Sequence, residues 1–132
     1  MPVLVDTNVI LDVLNEDPVW ANWSDTQITA HQSSGLLVNP LIYTELCAGA
    51  SSFKDVDKVL IELKLELLEL SREALFCTAH AFLKYRRQGG TKTAPLPDFF
   101  IGAQAQCMGI PILTRDMARY TTYFPDVRLI CP

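Results

Sequence analysis

Residues 1 to 14 read Met1-Pro2-Val3-Leu4-Val5-Asp6-Thr7-Asn8-Val9-Ile10-Leu11-Asp12-Val13-Leu14, and a change of period inside this stretch decides the fold. Val3-Leu4-Val5 is a short β-branched and apolar run, the pattern of a buried strand. After Asp6 the apolar positions fall at Val9, Ile10, Val13 and Leu14, which is helical spacing. A strand running straight into a helix is the first half of a βαβ unit, and its partner strands should lie downstream.

They do. Asn15-Glu16-Asp17-Pro18 breaks the first helix, and a second is expected from near Val19 to Ser33-Ser34-Gly35. Leu36-Leu37-Val38 reads as strand two, ended by Asn39-Pro40, with a helix from Leu41 to Gly49. Phe53, Val56, Val59, Leu60 and Leu63 mark the face of another helix, and Leu65 to Leu70 reads as strand three. Ser71 is placed to cap the helix that follows, with Leu75, Ala79, Phe82 and Leu83 expected to face the core. Lys84 to Thr93, which includes Gly89-Gly90, reads as a helix end and a mobile loop. Pro95-Leu96-Pro97-Asp98 starts a helix running to Met108, with Gly109 as its C-terminal stop. Ile110-Pro111-Ile112-Leu113 is strand four, and a short helix and a strand near Val127 to Ile130 close the chain. Strands separated by helices imply right-handed crossovers. The expected fold is α/β, a parallel sheet of four to five strands, doubly wound, with helices on both faces. No shift of composition marks a linker, so residues 1 to 132 are expected to form a single domain.

The bulk properties agree with a globular protein. Of 132 residues, 49% are hydrophobic and 20% charged, and no apolar run approaches the roughly 20 residues needed to span a bilayer. The N-terminus lacks the basic segment of a signal peptide, so a cytoplasmic location is expected. Cys47, Cys77, Cys107 and Cys131 make no Cys-x-x-Cys pair, which argues against a zinc site or a disulfide framework; each is expected to act as a small buried apolar residue. The formal net charge is −4, from 15 acids against 11 bases. If four acids belong to a metal pocket, the remaining surface is neutral, so charge neither supports nor excludes a nucleic-acid partner.

Ligands of such sheets bind beyond the carboxyl ends of the strands, near the switch in strand order. Asp6 follows strand one and Asp116 follows strand four. Asp98 opens the helix leading into strand four, and Glu45 lies one to two turns into the helix after strand two. Each has a plain structural reading: Asp6 as a helix cap, Asp98 as an acid favoured by a helix dipole, Asp116 as a turn residue and Glu45 as a solvated helix residue. Capping alone, however, does not require acids at the same edge after strands one, two and four. At separations of about 5 Å and an effective dielectric near 20, each pair of carboxylates repels by on the order of 3 kcal/mol. A divalent cation relieves that repulsion, and oxygen donors without histidine or cysteine suit Mg²⁺, with Mn²⁺ as substitute. Such an ion activates water and stabilises charge on a phosphoryl oxygen, which points to a phosphodiester hydrolase.

Val5-Asp6-Thr7-Asn8, Thr44-Glu45, Leu96-Pro97-Asp98-Phe99-Phe100-Ile101-Gly102-Ala103 and Leu113-Thr114-Arg115-Asp116 resemble, in order and spacing, the four acidic motifs of the PIN-domain family. Gly89-Gly90 before Leu96-Pro97-Asp98 and Tyr123-Phe124-Pro125 near the end look like the VapC toxins of VapBC toxin–antitoxin modules. The resemblance implies Asp6 and Asp98 as principal Mg²⁺ ligands, with Asp116 and Glu45 completing the cluster directly or through water, and Thr7 and Thr114 as hydrogen-bonding supports. It also implies a metal-dependent endoribonuclease acting on transfer or ribosomal RNA, a homodimer, and a small VapB-type antitoxin that blocks the pocket. Gln104 stands where close relatives are expected to carry histidine, and Met117, Ala118 and Arg119 where some members carry a further acid.

Lys84, Arg86, Arg87, Lys92, Arg115 and Arg119 are candidates for phosphate contacts near the pocket. Trp20 and Trp23 suit either an interface or burial in a helical hairpin, and His31 and His80 lack a partner at metal-ligand spacing. A haloacid-dehalogenase-like phosphatase would need an acid where Asn8 stands. A receiver-like signalling module would need an aspartate after strand three, where the chain has Glu69-Leu70-Ser71. A housekeeping PIN nuclease without an antitoxin stays open beside the toxin reading.

Overall fold

The computed structural model describes residues 1–94 and 96–132. Pro95, the first residue of the expected helix start, lies outside the described residues. The sheet contains β1 (Val3–Val5), β2 (Leu36–Val38), β3 (Leu65–Leu67), β4 (Ile112–Leu113) and β5 (Leu129–Ile130). All its pairs are parallel and the order is β3-β2-β1-β4-β5. Between them run α1 (Thr7–Leu14), α2 (Ala21–His31), α3 (Pro40–Ala48), α4 (Phe53–Leu63), α5 (Arg72–Arg87), α6 (Pro97–Met108) and α7 (Ala118–Tyr123). The expected parallel α/β architecture is therefore the observed one. The strand order reverses between β1 and β4, which places the switch point beside Asp6.

Central strands β1, β2 and β4 are wholly buried, as their continuous apolar runs require when helices cover both faces. Their register sets Leu4 opposite Leu37 and Ile112, and Val5 opposite Leu113. Asp6 then leaves the sheet with its N–H still donating to the Leu113 carbonyl at 2.9 Å.

Local chemistry explains where elements begin and end. Asn39, Ser52 and Ser71 cap α3, α4 and α5 by accepting backbone N–H bonds. Gly109, at φ 65°, ends α6 in the left-handed region. Helix α2 begins at Ala21 rather than near Val19, because the Asp17 carboxylate accepts from the N–H groups of Val19 and Trp20 and holds a turn there. The third strand stops at Leu67, three residues short of expectation. Leu68 gives one more bond to the Val38 carbonyl at 2.9 Å, and the Glu69 carbonyl is then taken by the Gln104 amide at 3.3 Å.

Helix α5 is rotated from its expected orientation. Ala74 and Thr78 are buried, whereas Leu75 and Leu83 are 43% and 44% exposed. Small residues let α5 and α6 approach closely: Thr78 Oγ1 donates to the Ala74 carbonyl at 2.7 Å and lies 3.4 Å from the Phe99 carbonyl of α6. Gly102 of α6 faces the Phe124 ring so closely that a Cβ would overlap it. No cysteine is fully buried, and Cys107 is exposed, contrary to the expectation of buried apolar thiols.

Candidate active site

Asp6 sits at the carboxyl end of β1, is 5% exposed, and also caps α1 through its Oδ1, which accepts the Thr7 N–H at 2.8 Å. Its Oδ2 is the focus of three side chains: Thr114 Oγ1 at 2.9 Å, the Tyr120 hydroxyl at 2.9 Å and Asn8 Nδ2 at 3.4 Å. Burial raises the Asp6 carboxyl above the usual range, and the charge of Asp116 adds to it, while the bonds from Thr114, Tyr120 and Thr7 oppose the rise. Because Oδ2 is crowded with donors and Oδ1 has one, Oδ1 is the oxygen with lone-pair capacity left for another ligand.

Asp98 lies in the first turn of α6, where the helix dipole favours an anion. Burial nevertheless pushes its carboxyl up to about 6, and the charges of Asp6, Asp116 and Glu45 push the same way. Arg119 opposes them from 3.9 Å. The same field raises the Tyr120 hydroxyl: burial acts first, then the charges of Asp6 and Asp98. Glu45 is exposed on α3, its Oε1 accepting from Thr7 Oγ1 at 2.8 Å. Asp116 is exposed on the loop after β4, its backbone N–H bonded to Thr114 Oγ1 at 3.0 Å. The structure thus brings the four expected acids into one electrostatic neighbourhood, and Thr7 and Thr114 do bond them.

Among the described residues, no three histidine, cysteine or acid side chains are set closely enough to hold an ion unaided. Asp98 lies 3.9 Å from Arg119, and Glu45 accepts from Thr7. The donor set still matches a hard divalent ion: every donor is a carboxylate oxygen, burial first and neighbouring charge second raise two of the carboxyls, and Asp6 Oδ1 accepts one hydrogen bond where Oδ2 accepts three. Mg²⁺ retains several waters and needs only one or two carboxylates. Asp98 and Asp116 also line an open cleft of about 470 Å³ with Tyr85, Ala118, Arg119, Thr122 and Tyr123.

Of the expected phosphate-contacting bases, Arg115 is turned inward. Its Nε and Nη2 bind Asp12 at 2.6 and 2.9 Å, and its guanidinium stacks 5.1 Å from the Trp20 ring centre. Arg86 donates to the Lys92 carbonyl at 2.6 Å on the exposed end of α5, and both it and Arg87 stay at the surface. Trp20 and Trp23 meet edge to face at 6.2 Å, so Trp20 has an internal role as the platform for Arg115.

Three contributors escaped the sequence reading. Tyr120 is buried and anchors Asp6. Asn8 bonds both Asp6 and Thr114 through Nδ2, while its Oδ1 accepts the Arg115 N–H at 3.1 Å. Asp12, 4% exposed, ties Arg115 to Ser24. Asp12 left a local trace as an acid within an apolar helical face and Asn8 one as the last residue of the motif Val5-Asp6-Thr7-Asn8, whereas Tyr120 left none.

An all-parallel sheet with acids near its switch point defines an α/β fold whose candidate site is the carboxyl edge of its strands. The family model described as PIN domain matches residues 3–123, so the chain belongs to the PIN domain family. Its fold is that of VapBC chains. It is similar to a chain of the DNA-bound VapBC from Salmonella typhimurium, with 19% identity, TM-score 0.72 and coverage of 99% of this chain and 98% of that one. VapBC-1 from nontypeable Haemophilus influenzae gives 15% identity, TM-score 0.72 and the same coverage. FitAcB from Neisseria gonorrhoeae gives 21% identity, TM-score 0.71 and coverage of 97% and 96%. No curated protein matches the sequence significantly.

Proposed function

We propose that this protein is a divalent-metal-dependent endoribonuclease, the toxin of a type II toxin–antitoxin pair, acting in the cytoplasm as one domain over residues 1–132. The observation that carries the reading is the placement of Asp6, Asp98, Asp116 and Glu45 about the sheet's switch point, where burial first and the other three charges second raise the Asp98 carboxyl. Carboxylates gathered at one edge need a counter-charge, and membership of the PIN domain family supports a nuclease, with RNA as the substrate in this reading.

Asp6 and Asp98 are the principal ligands for Mg²⁺, or Mn²⁺ in its place, with Asp116 and Glu45 acting directly or through water. The bound ion supplies an activated water and charge neutralisation at the phosphoryl group. Thr114, Tyr120 and Asn8 fix the Asp6 carboxylate through Oδ2 and would hold it in place for an ion. Thr7 orients Glu45 in the same way. Arg119, 3.9 Å from Asp98, would contact an RNA phosphate held at the acidic edge. Arg86, Arg87 and Lys92 extend a basic rim from the end of α5, while Arg115 holds the loop that bears Asp116.

The VapBC and FitAcB neighbours support a VapB-type antitoxin as partner, and the working form in this reading is a homodimer. An apolar groove of about 360 Å³ between α1, α3 and α4, lined by Leu11, Leu14, Val56 and Val59, runs to Glu45. An apolar segment seated there would reach the acidic edge.

The test is cleavage of transfer RNA and of an unstructured RNA by purified protein in Mg²⁺, in chelator, and with Asp6→Asn or Asp98→Asn. Cleavage should require the ion and fall at least 100-fold in either variant. Expression should arrest growth only with both aspartates intact. Cutting at the unmodified rate by either variant, or in chelator, would overturn the site; cleavage without growth arrest would favour a housekeeping nuclease.

A further inference from the structure

Outside the acidic site, two thiols stand together. Cys77, on the second turn of α5, and Cys107, at the end of α6, place their Sγ atoms 3.8 Å apart, with the Cys107 thiol donating to Cys77. The aromatic contacts of the helix pair hold that spacing: Phe82 and Tyr85 of α5 pack edge-on to Phe99 of α6, at 6.1 and 5.5 Å between centres. Cys107 is exposed and Cys77 half-buried, so a small oxidant reaches the pair while both thiols stay fixed. Cys47 and Cys131 have no such neighbour among the described residues.

We propose that Cys77 and Cys107 are a redox-modification site, oxidised by peroxide to a reversible disulfide that clasps α5 to α6. The S–S bond is about 2.05 Å long, so the sulfurs must close by less than 2 Å, within reach of side-chain rotation. Cys107 donates its hydrogen bond to the Cys77 sulfur, which favours negative charge on Cys77 and makes it the first sulfur to react. Cys77 attacks one peroxide oxygen, the O–O bond breaks, and its thiol proton leaves with the departing oxygen as water, giving a sulfenic acid. The Cys107 sulfur then attacks the Cys77 sulfur and its proton departs with the hydroxyl as a second water. Two thiols and one peroxide thus yield one disulfide and two waters. In a reducing compartment the pair rests as thiols, so the clasp forms on oxidative challenge and is undone by thiol exchange. It encloses the basic end of α5. Nine residues of α6, roughly 14 Å at 1.5 Å per residue, separate it from Asp98, so it acts on the stability of the helix pair and not on the acids.

The test treats reduced wild-type protein with a small excess of hydrogen peroxide and maps thiols by mass spectrometry of a non-reducing digest. The expected result is a Cys77–Cys107 linked peptide two hydrogens lighter than its parts. The chain should remain uncrosslinked to other copies, Tm should rise on the order of 5–10 °C, and dithiothreitol should reverse both changes. Cys77→Ser and Cys107→Ser should each abolish the linked peptide. The proposal is overturned if the wild-type digest shows Cys107 joined to a second copy, oxidised to sulfinic acid with Cys77 still free, or unreacted. The wild-type map decides the matter even where a serine variant folds poorly.

Discussion

The Tyr120 hydroxyl donates to Asp6 Oδ2 at 2.9 Å across 114 residues of chain. Both groups are buried, Tyr120 to 1% exposure, so this bond joins α7 to the end of β1 inside the protein. Replacement by phenylalanine keeps the ring and deletes the donor. Hydrogen bonds to a charged partner contribute about 1.5–3 kcal/mol, so Tyr120→Phe should lower stability by about that amount in urea melts. If Asp6 is a metal ligand, the variant should also need several-fold more Mg²⁺ for half-maximal cleavage. An unchanged Mg²⁺ requirement would mean that Tyr120 is a packing residue alone.

The raised Asp98 carboxyl predicts how stability depends on pH. An aspartate of ordinary value 3.8 that reaches about 6 in the folded chain binds more protons folded than unfolded between those limits. Stability therefore falls as pH rises through that window, and the loss is complete above about pH 6. In chelator, the urea midpoint should drop from pH 4 to pH 6.5, and Asp98→Asn should flatten most of the drop. Millimolar Mg²⁺ at pH 7 should raise the midpoint again by binding the folded state. A midpoint that rises with pH in the wild type and ignores Asp98→Asn would contradict the assignment.

The edge of the sheet was legible because acids follow strands closely in sequence: Asp6 comes directly after Val5 and before the first helical residue Thr7, and Asp116 comes three residues after Leu113. The bonds that make the edge a site were not legible. Tyr120 and Asp6 are brought together by the fold, as are Asp12 and Arg115, 103 residues apart, and neither pair leaves a period or motif. The face of α5 was misread for a related reason. Leu75 and Leu83 remain exposed while Phe82 packs on Phe99, and Ala74 and Thr78 give the closeness that α6 requires. Volume at an interface is set by both partners, and one helix's pattern reports only its own.

Arg115 and Asp12 form a bidentate pair with very unequal exposure, 27% against 4%. Removing the arginine leaves a buried carboxylate with only Ser24 as partner, whereas Asp12→Asn leaves a guanidinium that reaches water. Arg115→Ala should therefore be the more damaging change, at about 3 kcal/mol, the usual cost of stranding one partner of a buried pair. Asp12→Asn should cost about half as much. Paired chemical denaturation measurements check the order, and the reverse order would show that Arg115, not Asp12, carries the desolvation.

Gly102→Ala sets two effects of opposite sign against each other. Alanine is favoured over glycine in a helix interior by about 1 kcal/mol, and α6 is helical throughout this region. Against this, the new Cβ would overlap the Phe124 ring. That ring is 2% exposed and packs edge-on to Phe99 at 6.5 Å, so it has little room to move. Overpacking of a fixed core costs about 1–3 kcal/mol, and the rigid neighbour places this site in the upper part of that range. The net effect should be a destabilisation of about 1–2 kcal/mol. In Gly102→Ala/Phe124→Leu the second change removes the obstacle, so the alanine should be neutral or stabilising in that background. A double-mutant cycle in urea isolates the coupling. Additive effects would mean that α6 shifts bodily away from Phe124, and the same shift would carry Asp98 from its place beside Asp6.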